Sequence, residues 1–477
     1  MTAALDSQIA FVIDDEEFSY SRFKADVAVA TEYLASEIGQ QEQRVAGAAA
    51  GPYWQWVLSL ALLRAGKNSA AINRDDASPE LAPYFDVCVG KALLPGVRTI
   101  KFETSGRESL CKQWHVPQPE LDADEPLVVI HPDSNRWLLT SGTTGRSKVV
   151  PSSALNIESR LEFCRRFQRM DSGSKLLPLM GLGTSGGFYC SLTIWQQGGC
   201  VYIDTSRPGP KKLLSRAYRE ANLLYVAPAT LKFLLDQNPG HWPGKQGRRI
   251  ITGGSRLHKG VRDKAIEYAC DEVELVYGST EFGGVALGDA QMLDQDKSLV
   301  GYLMPGSQIE VVDDEDQPVA AGTVGILRGR EKGMADGYVN DPENDAFRNG
   351  WFYPGDKAAL HGDQLFIVGR SSDVLNLGGT KISALDLESQ LQTLPDIEDI
   401  CAVKVEQGGA DCLAFAVVCA SEVELGELRQ KISAKMKFKG EYLLIKVAKI
   451  PRNNAGKLPR QAVVRAIENL LTEQSGA

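Results

Sequence analysis

The chain has 477 residues, too many for one ordinary domain, and a prior of about 150 residues per domain gives two to four structural units. Its 52 Lys+Arg against 61 Asp+Glu leave a net charge of −9, which argues against a general nucleic-acid binder. The nine cysteines contain no C-x-x-C pair and the five histidines no ligand cluster, so the chain reads as a reduced, cytoplasmic protein rather than a disulfide or metal scaffold.

In chain order, the N-terminus has neither a basic leader nor a long apolar core, and no secretory signal is expected. Val45–Ala50 reads as a strand. Trp54–Leu63, stopped by Arg64, is half a membrane span and reads as a buried helix, so no membrane span is expected. Leu176–Pro178, Cys200–Ile203, Leu223–Val226, Arg249–Ile251 and Glu274–Tyr277 read as short strands. Leu213–Ala221, Ala229–Asp236 and Lys259–Ala269 read as helices between them. This alternation predicts a largely parallel α/β architecture. After Leu299 the texture changes: Gln308–Val312, Thr323–Arg328 and Leu365–Val368, separated by Asp/Gly turns, predict an antiparallel β region over 301–368. A small α+β unit follows, with helices Asp386–Leu394 and Val423–Met436 and strands Asp399–Val405, Cys412–Cys419 and Leu443–Ile450. The boundary falls near Gly369–Ser372, giving a large unit over 1–370 and a small one over 371–477.

The most informative segment is Leu138–Val150, LLTSGTTGRSKVV. An apolar strand enters a loop of small hydroxyl residues and glycines, and the chain leaves as a second apolar strand. Gly142 and Gly145 let backbone amides turn toward an anion, Thr140, Ser141, Thr143 and Thr144 add hydroxyls, and Lys148 adds charge. This is chemistry for a polyphosphate, although the Walker spacing is not met. Alone, such a segment also suits a hairpin that binds nothing. Five further segments stand in order along the chain: Ile251–Ser255 (ITGGS), Val276–Glu281 (VYGSTE), Gly350–Asp356 (GWFYPGD), Gly369-Arg370 with Asp373 and Gly379–Ile382 (GTKI), and Ile450–Arg460 (IPRNNAGKLPR).

This series resembles the motifs of the adenylate-forming superfamily, which contains acyl- and aryl-CoA synthetases, adenylation domains of peptide synthetases and firefly luciferase. The resemblance covers most of the chain, from about Arg64 to Arg460. It implies a large N-terminal adenylation domain of α/β subdomains plus a β region, and a small mobile α+β C-terminal domain. It implies an ATP site at Thr140–Gly145, Lys148, Gly253, Gly254, Ser255, Tyr277, Gly278 and Ser279, with Asp356 and Arg370 at the ribose. Thr280 would hold the α-phosphate and Glu281 a Mg²⁺ ion, a hard cation that prefers carboxylate oxygen. Lys457 would be the catalytic lysine, Ser372 the hinge, and Gly378 and Gly379 the thiol channel. The implied reaction is attack of a carboxylate on ATP to give acyl-AMP, then transfer to CoA or to the phosphopantetheine of an acyl carrier protein.

Two departures matter. At the hinge, Ser372 replaces the family's Asp or Lys. In the acyl segment Leu177–Phe188 (LPLMGLGTSGGF), Met180 and Gly181 stand where many members carry an aromatic-His pair. With Gly183, Thr184 and Phe188 they form the expected acyl pocket. No aspartate occurs between Ser174 and Tyr202, and a buried α-ammonium without a carboxylate is costly, so a non-amino acid is expected. The leading expectation is an acyl-CoA synthetase. The alternatives are a stand-alone enzyme that loads a carrier protein and a non-catalytic member of the fold.

Overall fold

The computed structural model describes residues 6–475, apart from 75–76, 103–110, 112–124, 142–146, 207–211, 238–241, 246, 371–372, 378–379, 408–409, 437–439 and 453–457. The chain opens with a hairpin, β1 (Ile9–Ile13) and β2 (Glu16–Ser19), followed by the long helix α1 (Tyr20–Glu37), which Ser19 caps by accepting from the Arg22 amide. Then come β3 (Arg44–Ala48), α2 (Pro52–Arg64) and β4 (Asn68–Ala71). Pro52 sits in the first turn of α2, where a missing N–H costs nothing. Nine of the thirteen residues of α2 are buried, as its all-round apolar sequence predicts. No helix among the described residues is long and apolar enough to cross a membrane.

With β5 (Val87–Gly90), β6 (Arg98–Ile100), β7 (Asn135–Ser141) and β8 (Ser147–Ser153), β3 and β4 form a six-stranded sheet in the order β6-β5-β3-β4-β7-β8. All its pairs are parallel except β7–β8. Helix α3 (Ala154–Phe167) leads to β9 (Lys175–Pro178), α4 (Ser185–Gln197), β10 (Cys200–Ile203), β11 (Leu223–Val226), α5 (Pro228–Gln237), β12 (Arg249–Gly253), α6 (Lys259–Tyr268) and β13 (Glu272–Ser279). Strands β13-β12-β11-β9-β10-β1 are parallel neighbours, as the alternation of strands and helices predicts. The expected helix Leu213–Ala221 is broken at Ser215, whose extended backbone separates a 3₁₀ turn at Lys212–Leu214 from a short helix at Arg216–Glu220.

From β14 (Gly283–Asp289) pairing turns antiparallel, through β15 (Leu299–Leu303), β16 (Gln308–Val312), β17 (Gly325–Arg330), the two-residue strands β18 (Phe347–Arg348) and β19 (Trp351–Phe352), β20 (Asp356–His361) and β21 (Gln364–Arg370). The remaining chain carries the hairpin β22 (Val374–Leu377) and β23 (Thr380–Ser383), α7 (Ala384–Leu391), β24 (Asp399–Gln407), β25 (Ala410–Val418), α8 (Leu425–Lys435), β26 (Tyr442–Lys446) and α9 (Arg460–Ser475). It has its own three-stranded sheet, β24-β25-β26, with an apolar core on each face. The last strand is shorter than Leu443–Ile450 because its partner runs out: Lys446 pairs with Val417, one residue before β25 ends.

The N-terminal hairpin joins the large sheet by pairing β1 with β10, and Trp195 of α4 packs against it. Its ring stands edge-on to Phe11, Phe23 and Trp56 at 5.4, 5.1 and 4.8 Å, and its Nε1 donates to the Ala10 carbonyl at 2.7 Å. Trp195→Ala should cost about 3–5 kcal/mol, read from a urea titration. A loss below about 1 kcal/mol would show that other contacts hold the hairpin.

Candidate active site

Residues from both large sheets line a single cavity of about 1330 Å³. The strand–loop–strand segment enters it as the β7–β8 hairpin, with Thr140 opposite Lys148. Gly142, Thr143, Thr144 and Gly145 lie outside the described residues, as does the side chain of Ser141. Lys148 places its Nζ 4.3 Å from the centroid of the Tyr338 ring, a cation–π contact. Tyr338 is 5% exposed and donates from its hydroxyl to Glu281 Oε1 at 2.9 Å. Burial first, and then the Glu281 carboxylate, push this hydroxyl far up, so it remains a donor. Lys148, Tyr338 and Glu281 thus form one connected chain between β8 and the turn that follows β13.

The turn between β13 and β14 carries Tyr277 to Glu281. Only glycine fits at 278, because a Cβ there would lie 1.9 Å from the Gly283 carbonyl oxygen. The turn is held by Arg160 of α3, which also lines the cavity and is 7% exposed. Its guanidinium donates to the carbonyls of Ser279, Thr280, Glu281 and Gly333, at 3.4, 3.0, 3.2 and 3.1 Å. The Ala335 amide donates to the Glu281 carbonyl at 2.7 Å. Farther along the same segment, Asn340 accepts from the Val149 amide at 2.8 Å and donates to the Ser147 carbonyl at 2.7 Å. Segment 333–340 therefore ties β8 to the Ser279–Glu281 turn.

Gly253 and Gly254 end β12 beside this turn and line the cavity with Ser279 and Thr280. A Cβ on Gly253 would lie 2.6 Å from the Val276 carbonyl oxygen, and Gly254 has φ +84°. Ser255 is exposed and stands outside the cavity wall. Asp356, 5% exposed at the start of β20, faces Arg370 across the β20–β21 pair and accepts from its Nε at 2.8 Å. Its other oxygen accepts from the Tyr277 hydroxyl. A sugar diol at Asp356 must share that carboxylate with both donors. Tyr277, which the sequence offers as a stacking platform, is thereby tethered by its hydroxyl end.

On the acyl side, Met180, Gly181, Gly183 and Thr184 all line the cavity. Thr184 caps α4 by accepting from the Gly187 amide at 3.1 Å. Space is open where Cβ atoms on Gly181 and Gly183 would point. Phe188 does not reach the cavity, contrary to the sequence expectation. It is fully buried, stacks on Trp56 with centroids 5.8 Å apart, and lies under the Arg136 guanidinium at 4.7 Å. One helical turn past the cap, its side chain points to the core.

Lys457, Ser372, Gly378 and Gly379 lie outside the described residues. The chain on either side of Lys457 is anchored. Arg452 lines the cavity and pairs with Asp399 at 2.9 Å. Arg460 donates to Asp373 at 2.9 Å, to Glu388 at 2.9 Å and to the Ala402 carbonyl at 2.8 Å. Among the described residues no group of three or more His, Cys, Asp or Glu side chains is poised for a metal. Glu281 has one oxygen bonded to Tyr338 and the other without a partner among the described residues. That suits Mg²⁺, which is commonly bound through one or two carboxylates plus water and phosphate oxygens.

The sequence reading missed Arg160, Tyr338 and Asn340. A signal for Arg160 was present: Ile157, Arg160, Leu161 and Cys164 share one buried helical stripe, where an arginine needs partners. Tyr338 and Asn340 carry no comparable local mark.

A family model described as "AMP-binding enzyme" matches residues 3–339. The chain is similar to the salicylyl-CoA synthase / salicylate adenylyltransferase of Streptomyces sp, at 27% identity over 366 residues, 71% of this chain and 66% of that protein, just under two thirds of its length. It is also similar to the oxalate–CoA ligase of Arabidopsis thaliana, at 25% identity over 457 residues, 86% of this chain and 85% of that protein. Its fold matches that of ATP-bound MatB from Rhodopseudomonas palustris, with a TM-score of 0.81 at 20% identity over 98% of this chain and 99% of the other.

Arg160→Met would take a donor from four carbonyls, of which that of Glu281 keeps the Ala335 amide, a cost of several kcal/mol confined to the turn. Hydrogen exchange should therefore lose protection over 279–283 and keep it over β24–β25. Unchanged protection over 279–283 would show that the turn is held by other contacts.

Proposed function

Because this chain belongs to the AMP-binding enzyme family of the adenylate-forming superfamily, we propose that it joins a carboxylic acid other than an α-amino acid to AMP, releasing pyrophosphate, and passes the acyl group to the thiol of CoA. The carrying observation is that one cavity takes its walls from Thr140, from the Gly253-Gly254 and Ser279-Thr280 turns, and from the Met180–Thr184 segment. Nucleotide and acid can meet there. No aspartate lines the cavity among the described residues, and its carboxylates are those of Glu158, Glu162 and Glu331; the reading of a non-amino acid rests on the absence of aspartate between Ser174 and Tyr202. CoA as acceptor is supported by the relatives above, whose names include CoA synthases and ligases.

Catalysis of acyl-AMP formation rests on position and charge rather than on a protein nucleophile. Lys148, held over Tyr338, offers its ammonium to the phosphates. Thr140 and Thr280 offer hydroxyls. Asp356, oriented by Arg370, accepts from the ribose. Mg²⁺ bound at Glu281 would neutralise phosphate charge. Lys457 would bridge the carboxylate and the α-phosphate as charge redistributes. The unit beyond Asp373, locked to its own helix and sheet through Arg460, would turn about the segment at Ser372, exchanging Lys457 for the Gly378-Gly379 loop between the half-reactions.

Carboxylate-dependent ATP–pyrophosphate exchange tests the first step. Lys457→Ala should lower exchange by at least about a hundredfold while thioester still forms from supplied acyl-AMP; exchange near the wild-type rate would overturn the assignment. Single turnovers with CoA and with a phosphopantetheinylated carrier protein decide the acceptor, and transfer to the carrier alone would overturn CoA. Tyr338→Phe keeps the ring under Lys148 but frees Glu281. It should raise the Mg²⁺ concentration for half-maximal exchange by about tenfold, and an unchanged Mg²⁺ titration would remove Tyr338 from the metal's support.

A further inference from the structure

We infer that the acyl end of this cavity reads an uncharged hydrogen-bonding substituent on an aromatic carboxylic acid, and that Tyr225 and Gln168 are the residues that read it. The inference rests on the adenylation reading above and narrows its substrate.

Tyr225 lies in β11, where Leu223 and Tyr225 face the core shared with α3 and α4 while Leu224 and Val226 face the opposite one. It is 9% exposed and lines the cavity. Among the described residues its hydroxyl has no hydrogen-bond partner. Gly186, in the first turn of α4, makes room for it: a Cβ there would lie 2.2 Å from Tyr225 Cε1 and 2.9 Å from its hydroxyl oxygen. Gln168, just past the end of α3, is 1% exposed and lines the same cavity. Its Oε1 accepts from the Cys190 thiol at 3.7 Å, and its amide nitrogen has no acceptor among the described residues. Cys164 and Cys190, with sulfurs 4.0 Å apart, complete the floor.

This floor is polar but neutral. Burial pushes the Tyr225 hydroxyl and the Cys190 thiol well up, so both keep their protons. A second carboxylate would find no uncommitted buried cation on it: Arg160, buried in the cavity wall, has both terminal guanidinium nitrogens on backbone carbonyls, and Arg166, which also lines the cavity, is 61% exposed and pairs with Glu162 at 3.6 Å. An alkyl chain would leave a hydroxyl and an amide facing apolar surface, each at a cost. An aromatic body fits the walls. Gly284 admits the Phe163 ring, since a Cβ there would lie 2.5 Å from Phe163 Cζ, and Phe163, Tyr189 and Val276 line the path. Tyr225 pairs with Ile251 of β12, and Gly253 of β12 with Val276 of β13. Two strand spacings, about 10 Å, therefore separate Tyr225 from the strand that carries the nucleotide turn. One ring with a substituent opposite its carboxyl spans that gap.

The test uses the full-length enzyme, with exchange and calorimetric binding measured for 4-hydroxybenzoate, 4-hydroxycinnamate, benzoate, terephthalate and octanoate. A 4-hydroxylated acid should exceed benzoate, terephthalate and octanoate in kcat/KM on the order of ten- to a hundredfold, the equivalent of one unsatisfied buried hydrogen bond. Tyr225→Phe should erase most of that preference, and Gln168→Met supplies the same reading should the first variant fold poorly. The inference is overturned if benzoate, terephthalate or octanoate serves as well, or if the preference survives in the folded variants. Exchange with octanoate alone would leave adenylation standing and overturn the polar floor. Binding of a hydroxylated acid without exchange would do the reverse. Neither binding nor exchange with any acid would overturn both.

Discussion

Four carbonyl oxygens converge on the guanidinium of Arg160, and the geometry of the Ser279–Glu281 turn depends on them. The Ser279–Glu281 turn has no regular structure of its own to satisfy its backbone, and buried carbonyls without donors are costly. A guanidinium carries five N–H groups in a rigid fork. Placed on the buried stripe of α3, it reaches three successive carbonyls and that of Gly333. The turn can then present Ser279 and Thr280 to the cavity instead of folding back on its own backbone. Gly278 complements this from the other side, letting β13 and β14 approach so closely that no side chain fits between them.

Segment 333–340 extends that constraint. It is fixed to the Glu281 carbonyl through the Ala335 amide and to β8 through Val339 and Asn340. Tyr338 lies between these attachments, with its ring against Lys148 and its hydroxyl on Glu281. Two functional groups from different sheets thus share one buried side chain. Lys148 and Glu281 have opposite charge, yet no ion pair between them is present. The ring face takes up the ammonium and the hydroxyl takes up one oxygen of the carboxylate.

Much of the large-scale plan was legible in the sequence because it rests on local pattern. The short β-branched runs at Cys200–Ile203 and Leu223–Val226 are strands at the expected bounds, and the change from parallel to antiparallel pairing falls after β13, ahead of the expected Leu299. What the reading did not find is equally physical. It placed no helix over 20–37, 154–167, 185–197 or 460–475. Helix α4 opens with two glycines, poor helix formers, and its stability comes from burying Leu192, Ile194 and Trp195, which only the folded chain reveals. Leu213–Ala221 has helical composition but contains Ser215, which prefers a cap. In the site, residue types and motif order were legible, whereas Arg160, Tyr338 and Asn340 act on partners more than a hundred positions away, or more than fifty in the case of Glu281.

The two halves of the cavity are built on opposite terms. The side proposed for the nucleotide is over-determined: Gly278 and Arg160 in the cavity wall, and Tyr338, Arg370 and Asp356 outside its lining, each satisfy or fix a neighbour. Substitution there propagates through the hydrogen bonds they share. The side proposed for the acid keeps open space at Gly181 and Gly183 and leaves the Tyr225 hydroxyl and the Gln168 amide nitrogen without partners among the described residues. Buried polar groups left bare cost stability unless something fills the cavity. On the proposed function, a rigid phosphate side would bear a reaction common to every acid, whereas an acyl side with unspent donors would make binding conditional on the acid that matches them. The binding energy of the matching acid would then be realised beside a turn already fixed in shape, and selectivity would be tuned by a few side chains on α3, α4 and β11 without disturbing Arg160 and the carbonyls it holds.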